Sequence, residues 1–187
     1  MIIIAASNIA IETASWYYVI FAVTWCTVLA FMLDAAIAII VNKMPDRWFG
    51  AYNPLFNVSN REKELYKILR VRLWKDKVWE LGGLGRFSKR KLLEPDNPTY
   101  IEKFVIECNK GVVTHTLSYP VGFVTMLPVF TTCSFTIALP VATVNLYLNI
   151  LPTLALRYNT PKLKNLLSRL KRQSPDNNVN LEKQATN

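Results

Sequence analysis

Charge is not spread along this chain. Between Thr13 and Asn42 the only Lys, Arg, Asp or Glu is Asp34, and between Gly111 and Leu156 there is none. A soluble amphipathic helix places charge on its outer face every turn or two, so this segregation predicts an integral membrane protein. About 20 apolar residues cross the hydrocarbon core. Thr13 to Val41 suffices for one span and Gly111 to Leu156 for two. The expected fold is all-α: a small polytopic integral membrane protein with about three transmembrane helices plus amphipathic interfacial helices. Pro120, Pro128, Pro140 and Pro152 each remove a backbone donor, which leaves open a two-span version with a re-entrant second segment.

The segments divide at the charge boundaries. Residues 1–41 hold the N-terminal stretch and first span, and 42–110 a basic cytoplasmic or interfacial helical part. Residues 111–156 form a transmembrane hairpin with its tip near Pro128 to Ser134. Residues 157–172 form a basic amphipathic tail, and the polar 173–187 is expected to be disordered. Met1 to Ile11 lacks the basic n-region of a signal peptide. Lys43, Arg47, Lys103, Lys110, Arg157, Lys162 and Lys164 flank the spans, so the positive-inside rule puts the N-terminus outside and the C-terminus in the cytoplasm, in the cell membrane. The net charge of +9 then fits an anionic lipid surface as partner, and no nucleic acid.

Ser59 and Glu62 fit a capping box, followed by Leu65, Leu69 and Leu73 among Arg61, Lys63, Lys67, Arg70 and Arg72. This reads as a basic helix lying in the headgroup layer, with Trp74 and Trp79 as interfacial aromatics, ending at Gly82-Gly83-Leu84-Gly85. That glycine loop beside Arg86 is a weak phosphate cradle or a plain helix terminus. Asn97-Pro98 opens the next helix. Pro161 starts a short tail helix with Leu163, Leu166, Leu167 and Leu170 on one side. Cys26, Cys108 and Cys133 form no metal or disulfide pattern, and with one histidine no metal site is expected.

Glu107, Gly111 and His115 recur every four residues and make one loose stripe about 12 Å long. His115 is either a general base, its reference pKa lying near neutrality, or an interfacial histidine bonded to another helix. Arg157 either holds a phosphate or carboxylate bidentately or snorkels, and Arg157-Tyr158-Asn159 would share a mouth with His115. Asp34 marks a pathway, pairs with Arg157, His115 or a basic residue, or is protonated and packed. Asn145 and Asn149, one turn apart, suit interhelical hydrogen bonds.

Four segments together resemble the glycosyl-4,4′-diaponeurosporenoate acyltransferases of carotenoid biosynthesis. They are Met44-Pro45-Asp46-Arg47-Trp48-Phe49, the stretch from Ile68 to Lys77, Phe104-Val105-Ile106-Glu107 running to His115, and Arg157-Tyr158-Asn159-Thr160-Pro161-Lys162-Leu163. The resemblance implies transfer of a fatty acyl group from an activated donor to a hydroxyl of a lipid or glycolipid. It points to His115 and Glu107 as catalytic residues, and to Arg157, Tyr158, Asn159, Trp74 and Lys75 as substrate-binding, to which the span acid Asp34 is added. No bound cofactor is expected, and acyl-CoA or another acyl thioester would be co-substrate. Gly111 stands where the family has a second acid, Thr116 where it often has tryptophan, and Val78-Trp79 where it has Leu-Pro. The rival reading is a non-enzymatic small membrane subunit or lipid-binding anchor with a protein partner.

Overall fold

The computed structural model describes residues 16–78, 92–127 and 135–185. The glycine loop, the hairpin tip and the first 15 residues lie outside them. Among the described residues every regular element is helical: α1 Trp16–Lys43, α2 Asn60–Ile68, α3 Val71–Trp74, α4 Pro98–Ser118, α5 Val121–Val124 and α6 Phe135–Ala185, with short 3-10 turns at Asp46–Phe49, Pro54–Phe56 and Lys75–Lys77. It divides into two compact units. Met1–Lys43 and Val113–Thr153 form the first, Met44–Val112 and Leu154–Asn187 the second.

Among the described residues two helices are long and apolar enough to cross a membrane: Trp16–Lys43, with mean hydropathy 2.1, and Ile137–Gln173 within α6, with 1.5. The sequence pattern led us to expect about three. The intervening stretch does not extend as one apolar helix, because α4 stops at Ser118, Pro120 follows, and α5 is a single turn. Pro120 has no amide hydrogen to continue the ladder, and the Thr116 carbonyl instead accepts from the Tyr119 amide at 3.3 Å, a tighter closing turn.

In the first unit, α1 is apolar on every side. Trp16, Tyr17, Ile20, Phe21, Phe31, Met32, Ile39 and Ile40 are exposed, whereas Ala22, Cys26 and Ala30 are buried. Asp34 continues that four-residue rhythm, so one stripe of small residues leads to the acid. The helix ends at Lys43, a cation suited to the negative end of the helix dipole, just before Met44-Pro45, where the α conformation is disfavoured. Gly122 of α5 lies so close to α6 that a Cβ would sit 2.7 Å from Ala142 Cα and 3.0 Å from its carbonyl oxygen. Gly122→Ala is therefore expected to lower stability by about 1–3 kcal/mol through overpacking. That outweighs the roughly 1 kcal/mol gained in helix propensity, and thermal unfolding in detergent measures the net loss.

The second unit packs α4 against the C-terminal half of α6. Ile101, Phe104, Val105, Cys108 and Val112 share one face of α4 and meet Leu156, Leu163 and Leu167. Glu102 pairs with Lys171 at 2.9 Å, fixing the two helices antiparallel within the unit. The Asn97 carboxamide caps α4, accepting from the Thr99 and Tyr100 amides at 3.0 and 3.2 Å. The 44–57 segment is clasped to α4: Lys110 meets Asp46 at 2.6 Å, and the Asn109 amide donates to the Phe49 carbonyl at 2.8 Å.

Ser59 does cap α2, accepting from the Glu62 amide at 3.1 Å. The helix is shorter than the leucine rhythm suggested. It breaks at Arg70, which adopts a left-handed φ of 49°, and the Trp74 indole donates to the freed Leu69 carbonyl at 2.9 Å. Leu65, Ile68, Leu69 and Leu73 remain exposed. Pro161 does not start a new helix, because α6 runs unbroken through it. Extending an existing helix requires no new nucleus. The polar end, for which composition predicts disorder, continues α6 as far as Ala185.

Candidate functional site

Inside the first unit a line of polar side chains crosses otherwise apolar helices. The Asn145 amide donates to Asp34 Oδ2 at 2.8 Å, and the Asn149 amide reaches the same oxygen at 3.4 Å. Asn149 Nδ2 also lies 3.0 Å from the Asn145 backbone carbonyl. His115 Nδ1 is 2.9 Å from Asn149 Oδ1. The chemistry of these partners fixes the protons. The Asn145 backbone carbonyl can only accept, so the nitrogen of the Asn149 carboxamide faces it and its oxygen faces His115. In the neutral ring Nδ1 then carries the hydrogen and Nε2 the lone pair, a base held in one tautomer by a neighbouring amide.

The sequence leaves Asp34 as a pathway marker, a partner of Arg157, His115 or a basic residue, or a protonated, packed acid. Its partners are instead two amides of α6, one turn apart, which supply neutral donors without burying a second charge. This is the interhelical bonding expected of Asn145 and Asn149. Asp34 Oδ1 is buried without a hydrogen bond among the described residues. The group that meets the His115 Nδ1 is Asn149 rather than Glu107. Glu107 lies two helical turns earlier on α4, half-buried in the second unit.

In the second unit, Arg157 is engaged by protein. Its Nε and Nη2 donate to Glu62 Oε1 and Oε2 at 2.5 and 2.8 Å, and Nη2 also reaches the Asn57 carbonyl at 3.3 Å. The bidentate geometry expected toward a substrate anion is thus used on a carboxylate 95 residues away. Tyr66 also donates to Glu62 and stacks edge-on against Tyr158, centroids 5.9 Å apart. The Arg157 guanidinium holds the Glu62 carboxyl below the usual carboxylate range, against the opposing effect of burial. Burial, followed by the bond to Glu62, pushes the Tyr66 phenol above its ordinary value. Lys162 lies over the Tyr158 ring at 4.6 Å. Trp74 is spent on closing the helix break at Leu69.

Lys75 and Asn159 do come together. With Lys162 and Asp76 they line a cavity of about 200 Å³ whose other walls are Leu92, Phe104, Cys108, Ala155, Leu156 and Leu163. The site residues therefore fall into two groups, His115 and Asp34 in one unit, Lys75 and Asn159 in the other.

Sequence reasoning passed over Glu62 as anything but a cap, and passed over Tyr66 and the cavity role of Lys162. A carboxylate and a guanidinium 95 residues apart leave no periodic signal. The orientation of Asn149 was legible only as a polar pair on a span.

A sequence model of the family glycosyl-4,4′-diaponeurosporenoate acyltransferase matches residues 45–169. The chain belongs to that family. The matched stretch takes in His115, Asn149, the Glu62–Arg157 pair and the whole cavity lining, while Asp34 precedes it. Membership of this acyltransferase family connects the chain with transferase chemistry and carotenoid biosynthesis. No curated protein and no solved structure matches the chain.

Proposed function

We propose that this chain is a membrane acyltransferase that moves a fatty acyl group from an acyl thioester to a hydroxyl of a lipid or glycolipid at the cytoplasmic face of the cell membrane, with its N-terminus outside. The observation behind this reading is the 2.9 Å contact between His115 Nδ1 and Asn149 Oδ1, which favours a neutral ring with its lone pair at Nε2. Nε2 takes the proton of the acceptor hydroxyl, whose oxygen attacks the thioester carbonyl carbon. The carbon–sulfur bond breaks, and the imidazolium returns the proton to the leaving thiolate. Asp34 stabilises the transient positive charge through the Asn149 amide, an electrostatic contribution strengthened by the low dielectric of the span. Glu107, Tyr158 and Arg157 serve the fold of the second unit in this scheme.

The test is lipid mass spectrometry of cells carrying the intact protein, His115→Ala, or neither. A lipid or glycolipid that gains a fatty-acyl mass only with the intact protein is the expected outcome, and its mass names the acceptor. Equal product with His115→Ala would remove the histidine from the mechanism. One observation favours a second reading: the exposed Leu65, Ile68, Leu69 and Leu73 face suits a membrane anchor or small subunit. A stable hetero-complex in mild detergent without acyl transfer would select it.

A further inference from the structure

The cavity of the second unit has a chemical asymmetry that the acyl-transfer scheme does not use. Its apolar lining includes Phe104, Cys108 and Leu156, all buried. Its polar lining includes three hydrogen-bond donors with capacity left over. Lys75 has a side chain only 17% exposed, yet its one acidic partner among the described residues, Asp76 at 2.6 Å, is 74% exposed. An ammonium has three donors, and Asp76 takes one of them. Among the described residues Lys162 has the Tyr158 ring beside it but no hydrogen-bond acceptor, and the Asn159 carboxamide has no hydrogen-bond partner.

We propose that this cavity binds a single oxyanion carried on an alkyl chain. Two ammonium groups and one carboxylate leave one positive charge over, which matches a monoanion rather than a polyphosphate. Under-coordinated ammonium groups and a free amide supply charge-assisted hydrogen bonds to the oxyanion, and the apolar wall takes the first carbons of the chain. A volume of about 200 Å³ is roughly seven times the share of one water molecule in the liquid. It admits a head group and a few methylenes. The carboxylate of a fatty acid and the phosphodiester of an anionic phospholipid share this chemistry. The proposal rests on the second unit alone and not on acyl transfer by His115.

The experiment is equilibrium dialysis of the full chain in an uncharged maltoside, with labelled dodecanoate, dodecanol and dilauroyl phosphatidylglycerol as probes. Dodecanoate is expected to bind at least tenfold more tightly than dodecanol. The double variant Lys75→Gln/Lys162→Gln is expected to abolish that preference while leaving dodecanol unchanged. Ala155→Leu, which grows into the cavity, should weaken both by fivefold or more. Competition of the phospholipid with dodecanoate would identify a membrane lipid as the source of the anion, and binding of dodecanoate alone would identify a free acyl end. Equal affinity for dodecanoate and dodecanol, or an undiminished preference in the double lysine variant with helicity intact, would overturn the proposal. Because the readout is binding, it is separable from the His115→Ala result: an inactive chain that still prefers dodecanoate retains this site.

Discussion

Arg157→Met is expected to destabilise the chain by about 2–4 kcal/mol, somewhat less than a fully buried broken ion pair would cost. The loss comes less from the missing attraction than from what stays behind. Glu62 is about one-fifth exposed, already accepts from Tyr66, and would keep its charge with no cation against it. The double variant Arg157→Met/Glu62→Leu removes the stranded carboxylate as well, and should recover most of the loss. Thermal or denaturant unfolding in detergent of the wild type, Arg157→Met, Glu62→Leu and the double variant gives the coupling directly. Additive losses would mean that the pair is not a unit. The same pair sets a pH dependence. The folded Glu62 titrates below its unfolded value, which is about 4.3. Its contribution is therefore fully present above that pH and lost as pH falls through the lower folded value. Arg157→Met should flatten stability in this acidic window and leave it unchanged in slope near neutrality.

The second large effect falls on rate. His115→Ala should lower acyl transfer by about 10²- to 10⁴-fold, the usual contribution of a positioned general base. Asn149→Leu preserves volume and removes the acceptor at Nδ1, so the ring is no longer held with its lone pair at Nε2. A loss on the order of tenfold to a hundredfold in kcat with KM little changed is expected, since tautomer and orientation act on the transition state. A purely structural Asn149 would instead lower the amount of folded protein and leave the kcat of what remains intact. That split, measured in membranes normalised for folded protein, decides between the two roles.

Much of this was open to reading from the residues. The charge-poor stretches held α1 and the start of α6, the two described helices long and apolar enough to cross a membrane, the Ser59 and Asn97-Pro98 caps marked two helix starts, and the acid, the histidine and the paired asparagines were all singled out. The contacts among them were not legible, for identifiable reasons. Asp34 looks from its neighbours as if it needs a cation, and only three-dimensional packing shows two neutral amides meeting it. Arg157 looks free to bind an anion, because its carboxylate lies 95 residues earlier on another helix. The second span looked continuous because hydropathy does not register where a helix stops, whereas Tyr119-Pro120 does stop it. Pro161 looked like a helix start, and α6 passes through it because the helix is already formed on its N-terminal side.

The interleaving of the two units has a consequence for how the protein is made. Each draws one piece from the first part of the chain and one from the last: Met1–Lys43 waits for Val113–Thr153, and Met44–Val112 waits for Leu154 onward. On a ribosome, α1 emerges early and apolar on all sides, while the face of α4 bearing Ile101 and Phe104 stays uncovered until Leu163 and Leu167 have been synthesised. Such distant pairings form late and leave sticky surface open meanwhile. A nascent chain arrested before residue 154 would therefore present that uncovered face to chaperones or to the insertion machinery, and truncation near the C-terminal end would be felt in the core of the second unit rather than at its edge.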